Sequence, residues 1–274
     1  MKNYSQKIPF YICFLLSVIL FNSACNQKQP AAAVFVAASD LASENLKGSV
    51  TQVESDSYKI DSTGKTGPLD EKNIEKFDSA GYTSSYVSMN GKDSVKTQSN
   101  FQHNASGLMV SMQTIGAKNE KKSSMIIELD SAGKFSLAKS YDSTGKMDVF
   151  YDDIVMNIFG EVTSAKGHHA DSTLKMTFVN DYDSVYYVGG VSKDSVGKVT
   201  YSNIMVLNDK KDPSKMDEVT VTTDPKTKKN STKNTTTTYT YETWDSHGNW
   251  TQQTSINEKG KPVKVVKRII LYKE

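Results

Sequence analysis

The stretch "WDSHGNW" (residues 244–250) runs from one aromatic residue through an Asp-Ser-His-Gly turn to a second aromatic residue. Related turns occur at "IDSTGK" (60–65), "FDSAGY" (77–82), "LDSAGK" (129–134), "YDSTGK" (141–146) and "KDSVGK" (193–198). Asp at the first turn position accepts backbone hydrogen bonds, and Gly at the fourth adopts positive φ without a steric clash. The pattern therefore predicts hairpins built on a type I turn followed by a left-handed glycine.

The spacing of the turn glycines indicates a repeating architecture. Gly81, Gly107 and Gly133 are 26 residues apart, and Gly145 and Gly197 are 52 apart. Gly133 and Gly145 are 12 residues apart, as are Gly248 and Gly260, and this spacing fits one strand of about eight residues with a turn of about four. The spacing of 26 fits two strands with two slightly longer turns. The predicted turn glycines are Gly64, Gly81, Gly107, Gly133, Gly145, Gly197, Gly248 and Gly260.

Between the turns, apolar and polar residues alternate with a period of two, which is typical of half-buried strands. In "VKVVKRIILY" (263–272), one face carries Val263, Val265, Ile269 and Leu271, and the other carries Val266, Ile270 and Tyr272. A minor helix at "LDEKNIEKF" (69–77) is the alternative for that segment. The predicted fold is all-β: an extended, twisted and curved antiparallel meander of repeated β-hairpins, forming a single layer or a half-barrel.

The N-terminus has the pattern of an export signal. Lys2 and Lys7 precede an apolar run at residues 8–21, and Ser23 and Ala24 then precede Cys25. This arrangement resembles a bacterial lipoprotein signal, with an ordinary signal peptide or a signal anchor as alternatives. We expect residues 1–24 to be the signal peptide, Cys25 to be lipidated, residues 25–44 to be a flexible tether with a short helix near 38–44, and residues 45–274 to be the β domain.

The charge balance argues against a nucleic-acid partner. The chain has 33 basic and 31 acidic residues, and removing residues 1–24 takes away two lysines, which leaves 31 of each. Phosphate binding requires a basic surface, which a balanced chain does not offer. The predicted membrane contact is therefore the N-terminal lipid. The two cysteines, Cys13 and Cys25, leave no pair for a disulfide in the mature chain.

The aromatic-Asp-x-x-Gly turns resemble the YD repeats of Rhs-type proteins, and in particular the small YD-repeat-like lipoproteins of Bacteroidota. "NLKGSVTQV" (45–53) is similar to their opening strand and "WDSHGNWTQQTSINEKGKPVKVVKRIILY" (244–272) to their closing hairpins. The resemblance implies an outer-membrane lipoprotein without an established enzymatic activity, and it supplies no catalytic residues. "NQKQ" after Cys25 lacks an acidic export stretch, which favours the periplasmic face, with surface exposure as the alternative.

A second resemblance concerns modification. Asp-Ser followed by Ala, Val or Thr is similar to the short O-glycosylation motif of exported Bacteroidota proteins, although these residues are also ordinary turn formers. The candidate acceptors are Ser62, Ser79, Ser94, Ser131, Ser143, Ser172, Ser184 and Ser195.

Residues with catalytic or metal-binding chemistry form no clear pattern. His168 and His169 are adjacent, so on a strand they point to opposite faces, and we predict no metal site and no cofactor. Asp152 and Asp153, and Asp181 with Asp183, could serve glycoside hydrolysis or calcium binding, but solvated strand ends are the favoured interpretation.

Four aromatic residues near the C-terminus are candidates for a ligand-facing surface: Tyr239, Tyr241, Trp244 and Trp250. The favoured function is a non-enzymatic envelope lipoprotein that binds or scaffolds an unknown protein, glycan or lipid through its sheet. The alternative is a half-barrel periplasmic carrier of a lipid or other apolar ligand, which requires an apolar concavity closed by a helix or loop. A carbohydrate hydrolase is a remote alternative, and it requires carboxylates that converge in a deep cleft.

Overall fold

The computed structural model describes residues 36–223, 227 and 229–274. Within them the chain forms one short helix, α1 (Asp40–Ser43), and sixteen strands. The strands are β1 (Val50–Ile60), β2 (Thr66–Phe77), β3 (Thr83–Asn90), β4 (Val95–His103), β5 (Met109–Gly116), β6 (Lys121–Leu129), β7 (Phe135–Tyr141), β8 (Met147–Met156), β9 (Val162–His169), β10 (Leu174–Asp183), β11 (Tyr186–Asp194), β12 (Val199–Leu207), β13 (Pro213–Thr223), β14 (Asn230–Trp244), β15 (Trp250–Asn257) and β16 (Pro262–Tyr272).

The sheet is antiparallel throughout and closes on itself. Each strand pairs with the next along the chain, and β16 pairs with β1 through partners such as Val53 with Ile270 and Ser57 with Val266. The all-β antiparallel prediction is confirmed, whereas the open meander or half-barrel is wrong. Closure satisfies the backbone groups of both terminal strands, which an open sheet would leave exposed as pairing edges.

Residues 69–77 belong to β2 and not to a helix, which corrects the helical alternative. Their backbone pairs on both sides, with Glu54 of β1 opposite Ile74 and Ile74 opposite Val87 of β3. Tertiary pairing with two neighbours therefore outweighs the local helix propensity of the Lys/Glu-rich segment.

Many of the described turns share one local geometry. At the first corner, Asp61 Oδ1 accepts the amides of Thr63 at 2.9 Å and Lys65 at 3.0 Å, and Gly64 has φ +87°. The same side-chain pattern occurs at Asp78, Asp130, Asp142, Asp194 and Asp245, and with Asn at residues 104, 157 and 257. The short polar side chain thus stabilises these reversals, and a left-handed residue completes them.

Side chains alternate between the interior and the outside of the barrel. On β16, Lys264, Val266 and Arg268 line an interior cavity, while Ile269 is 58% exposed. The outer wall carries ion pairs within strands or between neighbouring strands: Lys72 with Glu54 (3.5 Å), Lys139 with Glu128 (2.6 Å) and Lys215 with Asp217 (2.7 Å). Scattered apolar side chains such as Ile126 and Val179 lie among these charges.

The folded unit extends from Val36 to Glu274. Residues 36–44, which form part of the predicted tether, therefore belong to this unit. Residues 25–35 lie outside the described residues, together with the predicted signal peptide, Cys13 and Cys25. A small core of Leu46, Val50, Val53 and Phe77 forms where the chain enters β1. In the described residues no helix has the length and apolar character needed to cross a bilayer.

Candidate functional site

The barrel interior contains a cavity of about 660 Å³ whose lining is mainly apolar; we call it the apolar cavity. Aromatic rings, methionines and branched aliphatic side chains supply most of its wall. They include Phe101, Leu108, Met109, Met125, Ile127, Phe135, Tyr151, Ile154, Phe159, Met176 and Phe178. Strands β4 to β10 supply most of these positions, because their inward-facing residues are large and apolar.

A second cavity, of about 550 Å³, has a mixed lining and is called the mixed cavity here. Charged and amide groups lie among apolar and aromatic ones. The lining includes Val53, Ser55, Ser57, Asn73, Tyr186, Tyr187, Met205, Leu207, Tyr239, Trp250, Gln253, Lys264, Val266 and Arg268. Four residues, Ser43, Glu44, Glu75 and Tyr86, line both cavities, so α1 and its C-terminal flank lie at the junction between them.

One end of the barrel is crossed by the N-terminal segment (residues 36–49). Its backbone binds the turns at that end: Ala37 N donates to Ser106 O (2.8 Å) and Ala38 N to Phe159 O (2.7 Å). Farther along the segment, Lys47 N donates to Asn249 Oδ1 (2.8 Å). These partners lie in the β4–β5, β8–β9 and β14–β15 turns, so the segment ties together corners from different parts of the sheet.

Side chains reinforce this crossing. The Tyr82 hydroxyl donates to Ala37 O at 2.9 Å, and Asp40 Oδ2 accepts the amide of Thr83 at 2.6 Å. Asn45 Nδ2 donates to Lys210 O (2.7 Å) and to Asp212 Oδ1 (2.9 Å). The segment is therefore held from several directions, and it places Glu44 inside the barrel.

Glu44 and Glu75 form a carboxyl pair at the junction. Desolvation, followed by the charge of Glu75, raises the pKa of Glu44 to about 8, and desolvation also raises the pKa of Glu75. Glu44 has a large exposed area, but it faces the two cavities, so its surroundings remain less polar than bulk water. At neutral pH Glu44 is mostly protonated and shares a hydrogen bond with Glu75, which also accepts from Thr83 Oγ1 at 2.8 Å.

Arg268 is the only arginine of the chain and projects inward from β16 into the mixed cavity. Its guanidinium lies 3.6 Å from the centre of the Trp250 ring. Its Nε is buried without a hydrogen-bond partner, and no described carboxylate lies within 4.0 Å of the guanidinium. Burial lowers its pKa while the charges of Glu44 and Glu75 raise it, and a guanidinium remains charged in either case.

The four predicted ligand-facing aromatics have different positions. Tyr239 and Trp250 line the mixed cavity. The Tyr241 hydroxyl donates to Pro213 O at 2.6 Å and accepts from Gln253 Nε2 at 3.0 Å. Trp244 is 38% exposed and has the Lys210 ammonium 4.0 Å from its ring centre.

The other predicted positions lie at corners or on the outer wall. The turn glycines, Gly64, Gly81, Gly107, Gly133, Gly145, Gly197, Gly248 and Gly260, all have positive φ and lie between consecutive strands. All eight candidate acceptor serines are exposed at hairpin ends. His168 stacks on Phe150 and lies 3.0 Å from Asp152, and no metal-binding cluster of three or more His, Cys, Asp or Glu occurs in the described part of the chain.

Sequence reasoning missed Glu44, Glu75 and Arg268. One signal was available for Arg268, because every other basic position of the chain, histidines aside, is lysine and this single arginine interrupts an apolar strand pattern. No comparable signal marks Glu44 or Glu75, since acidic residues are common along the chain and only the folded barrel brings these two together.

No protein-family model and no curated protein matches the chain. A solved porin-like protein from Bacteroides uniformis aligns with 81% of this chain and 96% of its own, at 12% identity and a TM-score of 0.49. A porin-like protein from Bacteroides vulgatus aligns with 82% of this chain and 98% of its own, at 11% identity and a TM-score of 0.32. An exported protein with a YmcC-like fold from Bacteroides fragilis covers 86% and 98%, at 10% identity and a TM-score of 0.22. These likenesses are too distant to indicate a function.

Proposed function

We propose that this chain is a non-enzymatic binding protein of the cell envelope that holds a small apolar molecule inside its barrel. The observation that carries the proposal is the apolar cavity of about 660 Å³, walled by rings, methionines and aliphatic side chains. Ligand sites typically occupy about 300–1,000 Å³ and are lined mainly by such groups, with a few polar ones. The cavity can therefore take a molecule of the size of a small lipid.

The geometry favours the carrier over binding through the sheet surface. The carrier hypothesis requires an apolar concavity closed by a helix or loop, and the apolar cavity lies next to α1 and the N-terminal segment. Addition of a partner's strand to a sheet edge needs a free edge, whereas β1 and β16 pair with each other. The proposed carrier therefore differs from the predicted half-barrel in that its sheet is closed and the ligand would lie inside it.

The outer wall favours an aqueous surrounding. Ion pairs such as Lys139 with Glu128 and Lys72 with Glu54 lie on outward-facing strand positions. A charged side chain on the lipid-facing surface of a barrel costs about 2–4 kcal/mol near the bilayer midplane. We therefore propose a periplasm-facing barrel, tethered to the outer membrane through lipidated Cys25. Mass spectrometry of the mature protein should find an acylated Cys25 at its N-terminus, and a mature chain whose Cys25 carries no acyl group would contradict the anchor.

The carboxyl pair in the barrel does not favour hydrolysis. Glycosidases hold two carboxyl groups about 5–10 Å apart so that the sugar and a water or a covalent bond fit between them. Glu44 and Glu75 interact directly through a side-chain hydrogen bond, which leaves no such space. Binding without chemistry is the function that this geometry supports best.

The test is a titration of the full-length Cys25→Ala chain with N-phenyl-1-naphthylamine, an uncharged probe that fluoresces in apolar surroundings. We expect one saturable site. Ala138→Phe adds a ring to the wall of the apolar cavity and should weaken binding at least about fivefold, which corresponds to about 1 kcal/mol.

The matched control is Ser136→Phe, which adds the same ring at an exposed position of the same strand. It should leave the affinity unchanged, and circular dichroism checks that both variants keep their strand content. Absence of saturable binding, or equal affinities of Ala138→Phe and the unsubstituted cavity, would overturn the proposal.

A further inference from the structure

Among the described residues, no carboxylate lies within 4.0 Å of the charged guanidinium of Arg268. The guanidinium projects into the mixed cavity and lies over the Trp250 ring face, and its Nε is buried without a hydrogen-bond partner in the described part of the chain. Placing a charge inside a protein is costly unless a counter-charge or a set of hydrogen bonds compensates it. Stacking on Trp250 compensates only part of that cost and leaves the hydrogen-bonding edge of the guanidinium available.

The nearest carboxyl groups satisfy each other and do not pair with Arg268. Glu44 and Glu75 act on Arg268 through their charge, but no ion pair within 4.0 Å joins either to it. Glu75 already accepts from Thr83 and from Glu44. The two carboxyl groups hydrogen-bond to each other and not to Arg268, which leaves the guanidinium donors free of both.

The free edge of a guanidinium matches one class of chemical group. It presents parallel N–H donors in a planar fork, which fits a carboxylate, sulfonate or phosphate through two hydrogen bonds. Lys211 and Lys264 line the same cavity together with Asp212, whose carboxylate accepts from Asn45 Nδ2. Val53, Val266, Met205 and Leu207 give the cavity apolar walls. The mixed cavity is therefore built for a small anionic group attached to an apolar body.

The two cavities meet at the junction residues. Ser43, Glu44, Glu75 and Tyr86 line both, so a molecule whose charged group lies at Arg268 has apolar surface on both sides of that junction. We propose that Arg268 anchors the oxyanion head of an amphiphilic ligand, whose apolar part is held by the interior of the barrel. This inference rests on the proposed interior binding function and specifies the class of ligand.

The test compares two probes that share one aromatic frame. 1-Anilinonaphthalene-8-sulfonate carries a sulfonate, and N-phenyl-1-naphthylamine lacks it. In the full-length Cys25→Ala chain we expect both to bind. Arg268→Met should weaken the sulfonate probe at least about tenfold and change the affinity for the uncharged probe by less than about twofold, because only the sulfonate uses the guanidinium.

Two further variants control this comparison. Lys267→Met removes a positive charge from the outward face of the same strand and should change sulfonate affinity by less than about twofold, because this side chain is exposed and does not line the cavity. Arg268→Lys keeps the charge, and we expect it to weaken the sulfonate probe while sparing the uncharged one. Arg268→Lys takes the place of Arg268→Met as the test if thermal unfolding shows that Arg268→Met does not fold.

The outcomes separate the two proposals. Equal sulfonate affinity in Arg268→Met and the unsubstituted site, or equal losses for both probes, would overturn the role of Arg268. Binding of the uncharged probe without binding of the sulfonate probe would overturn the anionic ligand and leave interior binding standing. Failure of both probes to bind the Cys25→Ala chain would overturn both proposals.

Discussion

The guanidinium of Arg268 lies 3.6 Å from the centre of the Trp250 ring, inside a closed barrel. Trp250 is 9% exposed and lines the mixed cavity, whereas Trp244 is 38% exposed and contacts Lys210. The chain contains only these two tryptophans. Trp250 is therefore an intrinsic reporter of what enters the cavity.

In the variant Trp244→Phe, titration with dodecanoate, an anionic amphiphile, should change the fluorescence of Trp250 in a saturable way and protect it from iodide quenching. The reason is that the carboxylate would bind the hydrogen-bonding edge of the Arg268 guanidinium, which faces the cavity and lies over the Trp250 ring. Emission spectra recorded during the titration provide the measurement. The matched variant Trp250→Phe keeps only Trp244 and should show no saturable response; equal responses from the two variants would place the ligand outside the cavity.

The carboxyl pair makes stability depend on pH. The folded-state pKa of Glu44 is raised to about 8 from an ordinary value of 4.5, so the folded protein binds this proton more tightly than the unfolded chain. The stabilisation is complete below about pH 4.5 and is lost as pH rises through about 8. Tm should therefore fall by a few degrees between about pH 5.5 and 8.5, with the effect reduced because cavity solvent reaches Glu44.

Glu44→Gln should flatten this part of the Tm profile, because the amide cannot ionise. The control Glu242→Gln changes an exposed residue of β14 and should keep the slope of the unsubstituted protein. Thermal unfolding by circular dichroism at both pH values decides the matter. A Glu44→Gln profile as steep as that of the control would show that other groups cause the pH dependence.

The N-terminal segment depends on a glycine at one corner. Gly107 has φ +79°, and a Cβ there would overlap the ring and hydroxyl of Tyr82, which holds Ala37. Gly107→Ala should lower the free energy of unfolding by about 2–4 kcal/mol, of which about 1–2 kcal/mol is backbone strain. Hydrogen exchange at the amide of Ala38, which donates to Phe159 O, should become faster.

Gly133 provides the control, because it has φ +75° and open space around its Cβ position. Gly133→Ala should cost only the strain of about 1–2 kcal/mol and leave exchange at Ala38 unchanged. Denaturant unfolding gives both free energies. Equal costs at the two glycines would mean that the Tyr82 contact does not hold the segment.

The candidate acceptor serines give a chemical prediction. All eight are exposed at hairpin ends, so a transferase can reach them in the folded protein. Protein expressed with its own leader in a Bacteroidota host should carry added hexose-containing mass on some of them by peptide mapping. Ser246 occupies the same turn position but is followed by His247, and it should remain bare. An intact mass equal to that of the unmodified lipidated chain would refute glycosylation.

The antiparallel hairpin architecture could be predicted from the sequence because its signals are local. Many of the described reversals are encoded by a polar residue and a left-handed residue a few positions apart, as at Asp61 and Gly64. Closure could not be predicted, because it depends on β1 meeting β16 at the far end of the chain, and Val53 and Ile270 look like ordinary strand residues.

The interior could not be predicted either, because alternation separates two faces without saying which is inside. In β16 the more apolar face, with Ile269 and Leu271, lies outward, and the face with Lys264 and Arg268 lies inward. The location of Arg268 therefore required the three-dimensional structure.

Whether the barrel is closed is tested most directly by a disulfide between β1 and β16. Glu54 and Ile269 are paired partners on the outer wall, so Glu54→Cys with Ile269→Cys, in a chain with Cys13 and Cys25 replaced by serine, should form an intramolecular disulfide on mild oxidation. Gln252→Cys with Lys267→Cys joins neighbouring strands of one hairpin and should form it in an open or a closed sheet. Formation of both disulfides, read by mass spectrometry of the folded protein, is the predicted result. Formation of the hairpin disulfide alone would contradict the closed barrel, and with it the interior site.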